Sequence, residues 1–152
     1  MQETIVSDTS CLILLQKIGY LHLLKELFGT ILITSDVAEE FSSELPPYFR
    51  IQDPGDPNYH KILATFLDKG EASAIALALE LGNALLITDE AKGRKEAKAL
   101  GVKITGTIGI LLLAKEKNLI KALKPVFRKI NKTNFRISRH LINKALAMAK
   151  ES

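Results

Sequence analysis

Apolar positions along the chain follow two rhythms. Thr4-Ile5-Val6-Ser7, Ile31-Leu32-Ile33-Thr34, Ala84-Leu85-Leu86-Ile87 and Val102-Lys103-Ile104 are short runs, β-branched or continuously apolar, and read as strands. Longer stretches between them carry helical periodicity. Leu12 to Leu15 and Tyr20 to Phe28 predict two short helices broken at Gly19. Ser35-Asp36 caps a helix running to about Ser43. Asn58 to Leu67 is helical up to the break at Gly70, and Glu71 to Leu81 is apolar nearly all round, as a buried helix is. Glu90 to Leu100 is amphipathic and closed by Gly101. Thr107 to Lys117 and Leu119 to Ile130 predict two more helices, and Ser138 caps a last one to about Lys150. Leu45 to Tyr59 holds Gly55 and all but one of the prolines, so it reads as a loop with a short edge strand at Phe49 to Gln52.

Strands alternating with helices predict an α/β fold with a parallel sheet covered on both faces. The continuous apolar run at Ala84–Ile87 suits a central parallel strand. A length of 152 residues suits one domain over 1–152, with about 135–152 forming a final helix that packs on the domain or on a partner. Its apolar positions are Ile137, Leu141, Ala145 and Met148, with Ile142 and Leu146 beside them.

Composition narrows the picture modestly. Apolar residues make up 47% and charged residues 25%, which suits a globular chain and not a disordered one. Cys11 is the single cysteine, so no intrachain disulfide forms. Met1-Gln2-Glu3 does not read as a basic leader, the apolar run after it breaks at Asp8, and no stretch is long enough for a membrane span. The expectation is a cytoplasmic protein without a membrane partner. A net charge of +4 permits a polyanionic partner without requiring one.

Candidate chemistry lies at the strand ends, because ligands of such sheets bind beyond the carboxyl ends of the strands. Asp8 follows the first strand and Asp89 follows Ala84–Ile87 by way of Thr88. If the two strands are neighbours, both carboxylates project into one crevice. Each has a plainer reading as a helix cap, Asp8 for the helix after it and Asp89 for the one beginning at Glu90. In the helix from Asp36, a turn of about 100° per residue puts Val37, Ala38 and Phe41 on one face. Glu39 then points away from that face and Glu40 flanks it, within reach of a cleft. Glu71 opens the buried helix, where the helix dipole alone would explain a carboxylate.

Carboxylates sharing one cleft repel one another unless a cation lies between them, and oxygen donors select Mg²⁺ or Mn²⁺. His22, His60 and His140 do not have zinc-ligand spacing, and Cys11 reads as a buried small hydrophobe. Thr9, Ser10 and Thr88 flank the acids and either cap helices or hydrogen-bond a carboxylate or substrate. Lys92, Arg94 and Lys95 form one basic cluster. Arg128, Lys129, Lys132, Arg136 and Arg139 form another, interleaved with Phe127 and Phe135. Each cluster reads either as a solvated face or as a set of phosphate contacts. Tyr48, Phe49 and Phe135 are aromatics on which bases of a single strand could stack.

These residues resemble the PIN-domain family. Ile5-Val6-Ser7-Asp8-Thr9-Ser10 is similar to its opening strand and first acid, and Val37-Ala38-Glu39-Glu40-Phe41 to its second-acid helix, with Glu40 in the matching place. Gly70 to Ala78 resembles the helix bearing the third acid, here Glu71 where many members have Asp. Leu85-Leu86-Ile87-Thr88-Asp89 resembles the strand with the fourth. Gly93-Arg94 and Gly106-Thr107-Ile108-Gly109 look like a VapC-related branch of prokaryotic PIN proteins. The resemblance covers about residues 4–130. It implies a three-layer α/β/α fold with strand order 3-2-1-4-5 and a Mg²⁺- or Mn²⁺-dependent ribonuclease held together by Asp8, Glu40, Glu71 and Asp89. RNA is the implied substrate, Lys92, Arg94, Lys95, Arg128 and Arg136 its contacts, and a homodimer and an antitoxin protein the implied partners. The competing reading is a PIN-like RNA- or protein-binding module with little or no catalysis. Phosphoryl-transfer folds fit less well: Ser10 stands where a haloacid-dehalogenase-type phosphatase needs a second aspartate, and no Gly-Lys-Ser or Gly-Lys-Thr loop occurs.

Overall fold

The computed structural model describes residues 3–151. Met1 and Gln2, on which part of the leader reading rests, lie outside the described residues. Five strands form one all-parallel sheet: β1 (Thr4–Ser7), β2 (Ile31–Ile33), β3 (Phe49–Ile51), β4 (Ala84–Ile87) and β5 (Lys103–Thr105), in the order β3-β2-β1-β4-β5. This is the expected order, and Phe49–Ile51 is the expected edge strand. Chain order reverses between β1 and β4, which pair with Ile5 opposite Leu85 and Ser7 opposite Ile87. The crevice of a doubly wound sheet opens at that switch.

Helices α1 (Thr9–Lys17), α2 (Leu23–Phe28), α3 (Ser35–Phe41), α4 (Pro57–Leu63), α5 (Lys69–Leu81), α6 (Ala91–Ala99), α7 (Thr107–Glu116), α8 (Lys124–Asn131) and α9 (Arg139–Met148) surround the sheet. Strand alternation splits the core in two. Ile5, Ile31, Ile33 and Ile87 pack with Leu12, Leu24, Leu111 and Val126 on one face. Val6 and Leu86 pack with Ile75, Leu77 and Ala97 on the other. Every residue of α5 from Ala72 to Ala78 is buried, as its apolar circumference predicts. Complete burial of one leucine or isoleucine contributes about 1.5–3 kcal/mol. Leu86→Ala, at a fully buried point of the central strand, is expected to cost roughly 2–5 kcal/mol, read as a lower urea midpoint at unchanged slope.

Two expectations need local correction. The cap of α3 is Thr34, whose hydroxyl accepts the Val37 N–H at 3.2 Å, not Ser35 or Asp36. Ser35 instead donates its hydroxyl and its amide to Asp53, anchoring the proline-rich loop. Helix α8 starts at Lys124 and not at Leu119. Asn118 adopts a left-handed backbone (φ 62°), which ends the preceding helix, and Pro125 sits in the first turn of α8, where a missing N–H costs nothing. Helix α9 begins at its expected cap, with the Leu141 N–H bonded to Ser138 Oγ at 3.1 Å. It packs on its own domain through Ile142, Ala145 and Leu146, while Leu141 and Met148 are exposed. Glu151 fastens its end by accepting the Leu123 N–H (2.7 Å) and Lys115 Nζ (3.0 Å). Among the described residues, no helix is long and apolar enough to cross a membrane.

Candidate active site

Parallel pairing continues past the strand ends and fixes where the acids stand. The Asp8 N–H donates to Ile87 O at 2.9 Å, and the Thr88 N–H to Thr105 O at 2.8 Å. Asp8 is thereby set beside Thr88 and Asp89 at the switch point. It occupies the N-cap position of α1 in extended conformation, yet its side chain makes no capping hydrogen bond. Both carboxylate oxygens are buried, and neither has a hydrogen-bond partner among the described residues. Burial pushes its pKa from the usual 3.8 up to about 7. The charges of Asp89 and Glu71 add to the rise. The Thr88 hydroxyl and the Cys11 N–H, lying outside hydrogen-bond geometry, offset it in part.

Asp8 opens into a cleft of about 230 Å³ that also receives Thr9, Ser10, Glu40 and Glu71. Glu40 reaches it from the end of α3 and accepts the Thr9 hydroxyl at 2.8 Å. Glu39, one residue earlier, does not line the cleft, which agrees with the helical-wheel reading. Glu71 enters from the first turn of α5 with Oε2 buried and unpartnered, and the Ser10 hydroxyl is likewise unpartnered. Partial burial raises the Glu71 pKa, and the charges of Glu90, Asp68 and Glu40 raise it further.

Two of those neighbours, Asp68 and Glu90, line the same cleft and were not singled out in the sequence. They are the N-cap residues of α5 and α6, and neither side chain caps its helix. Acids at consecutive helix starts beside Glu71 and Asp89 were the available signal.

Asp89 is placed differently. Its Oδ1 accepts the Thr107 N–H at 2.9 Å and its Oδ2 the Thr107 hydroxyl at 2.6 Å. It thus holds the start of α7, not α6, and borders a separate hollow with Arg94 and Arg136. Its charge still reaches Asp8. With its proton given to Asp89, the Thr107 hydroxyl oxygen can accept the Cys11 S–H at 3.2 Å, and Cys11 is fully buried, as expected, with burial pushing its thiol well above the ordinary value.

Close backbone approach makes room for the acids. A Cβ on Gly70 would overlap Glu40 Oε1, one on Gly93 would overlap Glu71 Oε2, and one on Gly106 would overlap Asp89 Oδ1. The basic residues divide. Lys92, Lys95 and Arg128 are exposed. Arg94, expected as a solvated charge or a phosphate contact, is half-buried and donates Nη1 to Thr88 O at 2.7 Å, so it also braces the β4 exit. Arg136 donates to Thr133 O at 2.7 Å and Phe135 O at 3.3 Å but is itself exposed.

A family model described as PIN domain matches residues 4–151. The chain belongs to the PIN-domain family. No curated protein matches it. PIN domains are typically nucleases, and such nucleases generally use divalent metals. In this PIN domain, the donor set of the cleft fits a hard cation: it is all oxygen, two of its carboxylates have buried oxygens without a partner among the described residues, and neighbouring carboxylate charges add to the burial that raises the pKa of both. Among the described residues, no three acidic, histidine or cysteine side chains converge closely enough to ligate one ion as they stand.

Proposed function

We propose that this PIN domain is a Mg²⁺- or Mn²⁺-dependent endoribonuclease that hydrolyses phosphodiester bonds of single-stranded RNA. The observation that carries the reading is Asp8, a buried carboxylate with both oxygens unsatisfied, at the strand switch, in a cleft shared with Glu71 and Glu40. Burying a carboxylate without partners is costly, so a fold that does so keeps the group for a cation. Asp8, Glu71 and Glu40 would hold the ion, with Asp89 contributing through the lone pairs that Thr107 leaves free. When bound, the ion supplies a water of lowered pKa and stabilises charge on the phosphate oxygens. Thr9 positions Glu40, and Asp89 fixes the α7 start. Lys92, Lys95, Arg128 and Arg136 draw in the phosphate chain. Incubating single-stranded RNA with the protein and Mn²⁺, then with EDTA, then with Asp8→Asn tests this. Cleavage that requires both metal and Asp8 supports it, and metal-independent or Asp8-independent cleavage overturns it.

Gly70→Ala and Gly93→Ala probe the positioning directly. Each methyl displaces chiefly the end of a flexible glutamate, that at position 70 also pressing on the Thr9 hydroxyl, so folding stability is expected to change by less than about 1 kcal/mol. Metal-dependent cleavage is expected to fall about 10- to 100-fold, as for other disturbed ligand supports.

The resemblance of Gly93-Arg94 and Gly106-Thr107-Ile108-Gly109 to VapC-related proteins extends the reading to the toxin of a toxin–antitoxin pair, a cytoplasmic homodimer restrained by an antitoxin. A neighbouring reading frame whose product co-purifies and suppresses cleavage would support that role. A nuclease without one would keep the reaction and lose the role. A second reading, an RNA-binding module of little activity, is favoured by the commitment of both Asp89 oxygens to Thr107 and by the absence of a ready three-ligand cluster among the described residues. RNA binding without cleavage in Mn²⁺ would select it.

A further inference from the structure

A second hollow adjoins the acidic cleft. It holds about 250 Å³ and shares Ser10 and Ile13 with the cleft, so the two lie side by side at α1. The two are separate hollows that adjoin at these residues, and the walls of the second differ from the cleft in kind. Ile13, Leu14 and the half-buried Phe135 make it chiefly apolar, and Lys17 and Asn134 stand exposed at its rim. Neither rim side chain is committed to a hydrogen bond or ion pair among the described residues. The volume lies below the roughly 300–1,000 Å³ of sites for drug-sized ligands, which suits a single planar ring system.

The turn that presents Phe135 is tied down. Thr133 Oγ1 donates to Ile130 O at 2.6 Å and accepts the Phe135 N–H at 3.1 Å, while Arg136 Nη1 closes on Thr133 O. An aromatic ring held by a fixed turn, beside a phosphate-handling cleft, offers a stacking face at small entropic cost. Phe135 also borders the hollow containing Asp89 and Arg136, so a strand leaving the ring meets a cation. A purely structural Phe135 would account for its packing against the core, but not for an open apolar hollow beside the acids.

We propose that this hollow is a nucleobase subsite. The base next to the phosphodiester held in the acidic cleft stacks on Phe135, with the Asn134 amide on its polar edge and Lys17 near its phosphate. The proposal rests on the nuclease reading for its substrate class, but its test does not depend on cleavage.

Binding of short, labelled single-stranded RNA in EDTA is measured for the wild type, Phe135→Leu and Phe135→Trp, and with a set of RNAs carrying one abasic nucleotide at each position in turn. Phe135→Leu is expected to weaken binding about 5- to 150-fold, the range for one lost base–aromatic stack, and Phe135→Trp to keep it. One abasic position should reproduce the loss in the wild type and add nothing in Phe135→Leu. Equal binding by all abasic RNAs overturns the proposal even if Phe135→Leu fails to fold. Unchanged RNA binding with loss of self-association in Phe135→Leu also overturns it, assigning the hollow to a second copy of the chain. Phe135-dependent binding without metal-dependent cleavage would instead keep the subsite and remove the nuclease reading.

Discussion

Asp8→Asn is expected to stabilise the metal-free protein at pH 8 far more than at pH 4. The folded Asp8 carboxyl titrates near 7 and the unfolded one near 3.8, so between those values the folded state holds a proton that the unfolded state has released. Stability of the wild type therefore falls as pH rises through that window and levels off above 7. The shift of about three pH units corresponds to roughly 4 kcal/mol. Asparagine carries no charge at any of these pH values and lacks that slope. Its advantage over the wild type should grow by about 4 kcal/mol from pH 4 to pH 8. Urea unfolding in EDTA across this range measures it. Parallel curves for the two proteins would show that Asp8 is not a desolvated carboxylate. Saturating Mg²⁺ or Mn²⁺ should raise wild-type stability at pH 8 and leave Asp8→Asn nearly unmoved, because only a ligand that binds the folded state contributes.

The parts legible in the sequence were those set by local pattern. Ala84–Ile87 is read to the residue because a central parallel strand is apolar on both faces. Glu40 is separated from Glu39 by helical angle alone, and the cleft contains the one and not the other. Contacts between distant segments were not legible. The plainer alternative for Asp89, a cap for the helix that follows it, gives way to a tie to α7, 18 residues on, because β5 brings Thr107 beside the end of β4. The bond from Arg94 to the Thr88 carbonyl, just past β4, is likewise invisible in the local pattern, which offers only a solvated charge or a phosphate contact. Asp68 and Glu90 are not singled out by the sequence, since only the approach of α5 to α6 gathers them around Glu71. Gly93 and Gly106 have a steric meaning that the local pattern does not reveal: each leaves space for a carboxylate oxygen.

Those placements predict a graded loss of metal-dependent cleavage rather than four equal ones. Asp8→Asn should be the most severe, on the order of 10³-fold, because a metal's electrostatic contribution is several kcal/mol and each 1.36 kcal/mol is tenfold. Asp8 is also the one member of the set with both oxygens buried and unpartnered. Glu71→Gln should follow closely, since one of its oxygens is in the same condition. Glu40 is exposed and already shares an oxygen with Thr9, so Glu40→Gln and Thr9→Val should each cost about 10- to 100-fold. Asp89→Asn should lower activity together with stability, because Oδ2 of Asp89 takes the Thr107 hydroxyl proton and the α7 start depends on it. The opposite sign is expected at Glu90. Its charge raises the Glu71 pKa, so Glu90→Gln should favour ionised Glu71 and lessen repulsion of RNA, shifting the acidic limb of the pH–rate profile to lower pH. Single-turnover cleavage rates measured across pH at saturating Mn²⁺ separate these effects. Equal losses at Asp8 and Glu40, or a Glu90→Gln profile that moves upward in pH, would mean that the ion is held by a different subset of these acids.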